Sequence, residues 1–265
     1  MTDALFAGTT VLITGASGGI GGAFAEQLAP LGARLLLTAR HPERLASVAE
    51  RARAAGASVD TVRLDLTAPG AVAALVQDLE ARRLTVDHLI NNAGIGIAGR
   101  GIEAPLDDQL RVVDLDVRAA TELALRLLPG MVARGRGGVL NVASTGAFQG
   151  LPWLSVYGGS KAYLLAWSEA LHVELRGSGV RCCCLCPGPV DTGWFLAARL
   201  RSSPPRFIMQ SPSDVARAGL RGYTRNRSHV ISGPLSRAGA WLTRTVPRAL
   251  AARLAAGFAR PRDAR

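Results

Sequence analysis

Short apolar runs alternate along the chain with longer stretches in which Ala, Leu and Arg recur at helical spacing. "TVLITG" precedes "GGAFAEQLAPLGA", "RLLLTAR" precedes "PERLASVAERARAAG", and "VDTVRLDL" precedes "PGAVAALVQDLEARR". Four more runs follow: "VDHLINNAG", "GGVLNVAS", "VRCCCLCPG" and "SHVISG". Strands that are apolar throughout are buried on both faces, and helix-length connections between them allow parallel pairing. The pattern predicts an α/β fold, a single-domain doubly wound parallel sheet of about seven strands with helices on both faces. No internal repeat or low-complexity linker divides it. The segment "RSSPPRFIMQSPSD", residues 201–214, has the weakest periodicity and reads as a loop or a mobile flap. Ser213 or Ser211 then caps a helix beginning near Asp214, with Pro212 in its first turn.

A chain of 265 residues can bury a sizeable core. No apolar stretch approaches the roughly 18 residues a membrane helix needs. "TTVLITGASG" already reads as strand and turn, which leaves no room for a signal peptide. Cys182, Cys183, Cys184 and Cys186 are too crowded for paired zinc spacing and have no His nearby. They read as small apolar residues of a buried strand in a reducing cytoplasm, and no metal site is expected. Charge is spread unevenly. Residues 1–214 hold 20 basic and 19 acidic side chains, whereas residues 215–265 hold eleven Arg against Asp263 alone. Nearly all of the net +11 therefore belongs to the C-terminal stretch.

"VLITGASGGIGGAFAEQL" places Gly15, Gly19 and Gly21 between the first strand and the first helix. Glycines permit a tight turn and the close approach of a pyrophosphate, whose charge the free N–H groups of a helix start attract. The second strand ends in "LLLTAR", so Ala39 and Arg40 stand where an acidic residue would hold the ribose hydroxyls of NAD. A guanidinium there suits the 2'-phosphate of NADP(H) and lacks the carboxylate that would repel it.

The sequence has thirty arginines and one lysine, Lys161, in "VYGGSKAYL". Four motifs now stand in order: "TGASGGIG" at 14–21, "NNAG" at 91–94, Ser144 ahead of "YGGSK" at 157–161, and "PGPVDT" at 187–192. In these the chain resembles the short-chain dehydrogenase/reductase family, over all but its last 30 or so residues. The resemblance implies a Rossmann-like fold that binds a nicotinamide cofactor and moves hydride between it and a carbonyl or alcohol. It implies cofactor contacts from Gly15, Ser17, Gly18, Gly19, Ile20 and Gly21. It sets Asn92, Ala93 and Gly94 behind the cofactor, Asp65 and Leu66 at the adenine, and Pro187, Gly188, Val190 and Thr192 towards the nicotinamide end.

Tyr157 and Lys161 are four residues apart, so on a helix they share a face. A nearby ammonium favours phenolate and lowers the tyrosine pKa towards one useful for proton transfer. Ser144, ending the strand "GGVLNVAS", can hydrogen-bond the substrate oxygen. Thr145 is an alternative hydroxyl that strand alternation would turn to the other face. By resemblance, Lys161 also holds the nicotinamide ribose and relays protons, for which a compact ammonium suits better than a planar guanidinium. One position departs from the family. Where an asparagine is common in the central helix, "VVDLDVRAAT" puts Asp116, which can pair with Lys161 or accept a proton in the relay.

The sequence is thus read as an NADP(H)-dependent oxidoreductase that reduces a ketone in a largely apolar substrate. Walls for that substrate come from the residues after Gly94, from Phe148 to Trp153, and from 193–210. The rival reading is a catalytically weak NADP-binding sensor or scaffold, motivated by Asp116 and the tail and opposed by the complete Ser144, Tyr157 and Lys161 set. Residues 1–235 form the catalytic domain, with 193–214 as its substrate-side loop, and 236–265 a basic tail. Pro247 suits the start of a helix on which Leu250, Leu254 and Phe258 recur beside Arg248, Arg253 and Arg260, with Trp241 and Leu242 upstream. Such a helix can cover the domain or a neighbouring subunit, or lie on an anionic membrane, and no motif points to nucleic acid. The expected protein is cytoplasmic, peripheral to the inner membrane surface in the second case. Family resemblance adds a homodimer or homotetramer.

Overall fold

The computed structural model of the protein describes residues 3–201, 203–243 and 245–257. A one-turn helix α1 (Asp3–Phe6) leads into β1 (Thr10–Thr14), α2 (Gly19–Leu28), β2 (Arg34–Ala39), α3 (Pro42–Ala54), β3 (Ser58–Arg63) and α4 (Ala71–Ala81). β4 (His88–Asn91) is followed by α5 (Leu106–Val113), which passes through a π-helical segment, Asp114–Ala119, into α6 (Ala120–Arg134). Then come β5 (Gly138–Val142), α7 (Ser155–Glu174), β6 (Arg181–Cys186), α8 (Trp194–Ala197), α9 (Pro212–Thr224), β7 (His229–Ile231), α10 (Pro234–Leu242) and α11 (Arg248–Ala255).

All seven strands run parallel, in the order β3-β2-β1-β4-β5-β6-β7. The continuous apolar runs are explained by burial on both faces. Neighbours along a strand enter opposite cores: Ile13 and Leu37 pack with Phe24 of α2 and Leu220 of α9, while Leu12 and Leu36 pack with Leu75 of α4 and Leu123 of α6. The four cysteines lie on β6, free and buried, and burial pushes the Cys182 thiol up to about 12. Cysteines buried in this way are inert packing groups.

The strand order reverses between β1 and β4, which opens a crevice beyond the strands' carboxyl ends. Of the two serines expected to cap α9, it is Ser211 that does so, its Oγ accepting from the Asp214 N–H at 3.0 Å. Among the described residues no helix is long and apolar enough to cross a membrane.

Candidate active site

A cleft of about 850 Å³ lies over the carboxyl ends of the strands. Its floor begins with the loop from β1 to α2, where Ser17, Gly18, Gly19 and Ile20 line the space. Gly15 sits at φ +66°, and a Cβ there would stand 2.8 Å from the Ala93 Cα. The "NNAG" segment braces this loop. Asn92 Nδ2 donates to the carbonyls of Thr14 and Gly15 at 2.9 and 3.2 Å, and the backbone N–H groups of Asn92 and Ala93 both donate to Thr14 Oγ1. Gly21 differs from its expected role. It does not line the cleft but packs behind the turn, where a Cβ would collide with the Gly15 carbonyl oxygen.

At the far wing, Arg40 follows the end of β2, exposed and lining the cleft. Arg44 joins it from α3, its guanidinium beside Gly18, 3.2 Å from where a Cβ would be. Sequence reasoning did not single out Arg44, one of thirty arginines and marked by no motif. Leu66 and Asp65 line the same wing. Asp65 is also a turn cap, accepting from Thr67 N and Oγ1 at 3.0 and 2.7 Å. Burial raises its carboxyl, but the Thr67 hydrogen bonds, with Arg40 and Arg111, outweigh this and hold it below the usual carboxylate value.

Ser144 and Thr145 correct one expectation. β5 stops at Val142, and Ser144 caps a 3₁₀ turn, Thr145–Phe148, with its Oγ accepting from Gly146 N at 3.1 Å. The Thr145 N–H is drawn to the Pro187 carbonyl at 2.8 Å, so strand alternation does not apply and both hydroxyl residues line the cleft. Tyr157 and Lys161 lie one turn apart on α7, the Lys161 Nζ 5.6 Å from the tyrosine ring centroid. The Lys161 Nζ donates to the Val142 carbonyl at 3.1 Å and meets Asp116 Oδ2 at 2.9 Å. Asp116 has no solvent exposure and Lys161 only 4%. The other Asp116 oxygen accepts from Ile95 N at 2.9 Å, and Ser160 Oγ donates to Oδ2 at 3.3 Å. Gly94 closes over the pair, where a Cβ would stand 2.9 Å from Nζ and 3.3 Å from both carboxylate oxygens.

Residues 9–201 match the short chain dehydrogenase family. The chain belongs to that family. The ketoacyl reductase HetN of Nostoc sp. is 36% identical over 225 residues, 84% of this chain and 78% of that protein. A short-chain dehydrogenase from Sphingobium yanoikuyae, solved with NADPH, is 33% identical with a TM-score of 0.80, covering 89% of this chain and 92% of that one. One from Burkholderia phymatum, solved with NAD, is 29% identical with a TM-score of 0.81, covering 97% and 98%. As a short-chain dehydrogenase the protein is an oxidoreductase of small molecules that uses a nicotinamide cofactor, in a family whose members are commonly oligomeric.

The dehydrogenase site sets its charges by burial first. Burial raises the Asp116 carboxyl, against the pull of Lys161, Ile95 N–H and Ser160. Burial would strip the Lys161 proton, but the Asp116 charge reverses this and holds the amine above its ordinary value. Tyr157 is the second correction. Lys161 and a Ser144 hydrogen bond pull its pKa down as expected, yet burial, aided by the Asp116 charge, leaves it above the ordinary phenol.

Pro187, Gly188, Val190 and Thr192, which follow β6, also line the cleft. Trp194 and Phe195 form the aromatic wall beside Ile95 and Leu151, with the Trp194 ring 4.8 Å from that of Tyr157. The segment from Phe148 to Trp153, expected there, does line the cleft through Gln149 and Leu151, but its two aromatic residues do not. Phe148 packs against the cluster of Ala143 and Leu164, and Trp153 against Leu154 and Leu200.

Proposed function

We propose that the protein is an NADP(H)-dependent reductase of a ketone in a largely apolar substrate. The observation that carries the reading is the convergence of Ser144, Tyr157 and Lys161 on a cleft whose β2 end bears Arg40 and Arg44. The glycine cradle fits a dinucleotide, since side chains at Gly15, Gly18 or Gly19 would meet their neighbours at 2.8 to 3.2 Å. Arg40, with Arg44, would hold the 2'-phosphate, Asp65 and Leu66 the adenine, Lys161 the nicotinamide ribose, and Val190 and Thr192 the carboxamide end. NADPH supplies the hydride when bound. Ser144 Oγ donates to the substrate carbonyl oxygen and places it beside Tyr157. The Tyr157 hydroxyl gives that oxygen its proton, completing the alcohol. Lys161, kept charged by Asp116, favours the phenolate left behind and is the route for its reprotonation. Likeness to a ketoacyl reductase and the Trp194, Phe195 and Ile95 walls support an apolar carbonyl substrate.

The same reading includes a cytoplasmic homodimer or homotetramer that does not bind nucleic acid, with residues 236–265 as a basic tail open to membrane contact. The test is loss of NADPH absorbance with a panel of apolar ketones, with NADH in parallel. Reduction of at least one ketone, faster with NADPH, is expected. A protein that binds NADPH and reduces nothing would favour the sensor reading, and preference for NADH would refute the role given to Arg40.

A further inference from the structure

The tail and the loop before α9 build one side of the cleft's mouth. Pro204 and Ile208 of the loop and Ala255 of α11 line the cleft, and Ala252 packs on Gly150. α11 uses its small face for this contact: Ala251 and Ala255 are buried, whereas Leu250 and Leu254 stand out from the protein. Large apolar side chains on these elements, and on α10 that precedes α11, are exposed. Phe207, next to the cleft-lining Ile208, is 88% exposed, Leu254, next to Ala255, 63%, and Trp241 at the end of α10, 68%. Arg206, Arg237, Arg248 and Arg253 are exposed on the same elements. From residue 215 to 257 there is no acidic side chain to balance them.

Apolar side chains flanked by arginines, with a tryptophan among them, have the chemistry of a lipid headgroup boundary. The rings and leucines enter the acyl edge while the guanidiniums meet phosphate. A zwitterionic surface would leave the charge unmatched, whereas an anionic bilayer sets phosphate and acyl edge side by side. We propose that this face docks on an anionic phospholipid surface and that the cleft loads its substrate from the bilayer beside it. The loading step rests on the reading of the cleft as the site of an apolar ketone.

The experiment uses the full chain and vesicles of phosphatidylglycerol and phosphatidylcholine in equal parts. Cosedimentation is expected at low salt, with release as salt rises and none on phosphatidylcholine alone. The double variant Trp241→Ser, Leu254→Ser lies outside the catalytic machinery and should bind these vesicles at least about tenfold more weakly. It should titrate NADPH and reduce a water-soluble ketone as the wild type does, and lose rate only on a ketone partitioned into the vesicles. Wild type that stays in the supernatant, or a variant that binds equally well, overturns the proposal. So does a variant that lowers the oligomeric state, because the patch would then belong to a second copy. Vesicle binding without reduction of any ketone by either protein supports docking and refutes both the loading step and the ketone reading.

Discussion

Asp116 and Lys161 bring opposite charges together almost wholly out of water, 2.9 Å apart. Such a pair is stable only where the remaining polar atoms are also served, and here Ile95 N–H, Ser160 Oγ and the Val142 carbonyl do that. A neutral side chain at 116 would leave the ammonium to act on Tyr157 alone. Reduction needs a protonated phenol, so its rate falls as pH rises through the Tyr157 pKa. Burial and then the Asp116 charge hold that pKa up against Lys161. Asp116→Asn therefore moves the alkaline limb of the reduction profile to lower pH, and the acid limb of the reverse oxidation with it. Limbs that stay in place in pH–rate profiles would contradict this coupling. At the other wing, with Arg40 in the role proposed for it, Arg40→Asp would remove a charge-assisted contact and set a carboxylate near the 2'-phosphate. The loss of about 1.5 to 3 kcal/mol corresponds to roughly ten- to a hundredfold weaker NADPH binding, with NADH improved. Fluorescence titration with both cofactors decides it, and an unchanged preference would remove Arg40 from recognition.

Between residues and fold stand the element boundaries, where local chemistry and tertiary contact compete. α9 starts where "SPSD" supplies both a cap and a proline, and it packs through Gly219 and Leu220 against Phe24 of α2. Ser211→Ala should cost about 1 kcal/mol, with a fall in Tm of roughly 2 to 4 °C. Calorimetry showing no change would mean that packing alone holds this helix start. The strands were legible because burial on both faces writes unbroken apolar runs, and the phosphate loop because only glycine fits its turn. The end of β5 was not legible. A hydrogen bond from Thr145 to Pro187, 42 residues on, diverts the chain into a 3₁₀ turn, and no local pattern around Ser144 records it. The π-helical turn that carries Asp116 was equally silent, since the apolar and polar spacing around it is that of an ordinary helix; from it Asp116 meets Lys161 and Ile95. Phe148 and Trp153 misled because an aromatic residue packs a core as readily as it lines a cleft.

For the whole molecule, topology gathers the chemistry. One reversal of strand order brings loops from β1, β2, β3, β4, β5 and β6 to a single edge, so residues from 15 to 255 share one cleft. That gathering was readable from the four motifs in sequence order. The part played by α11 was not, because the leucine stripe at 250 and 254 suggests the buried face and the alanines beside it take that place. The central claim is that Tyr157 is the proton donor in an NADPH-dependent reduction, and the most direct measurement compares Tyr157→Phe with wild type. The two proteins differ by one hydroxyl, so NADPH titration should give the same affinity while turnover of an apolar ketone falls by at least about a hundredfold. Turnover near the wild-type rate with Phe at 157 would contradict the account.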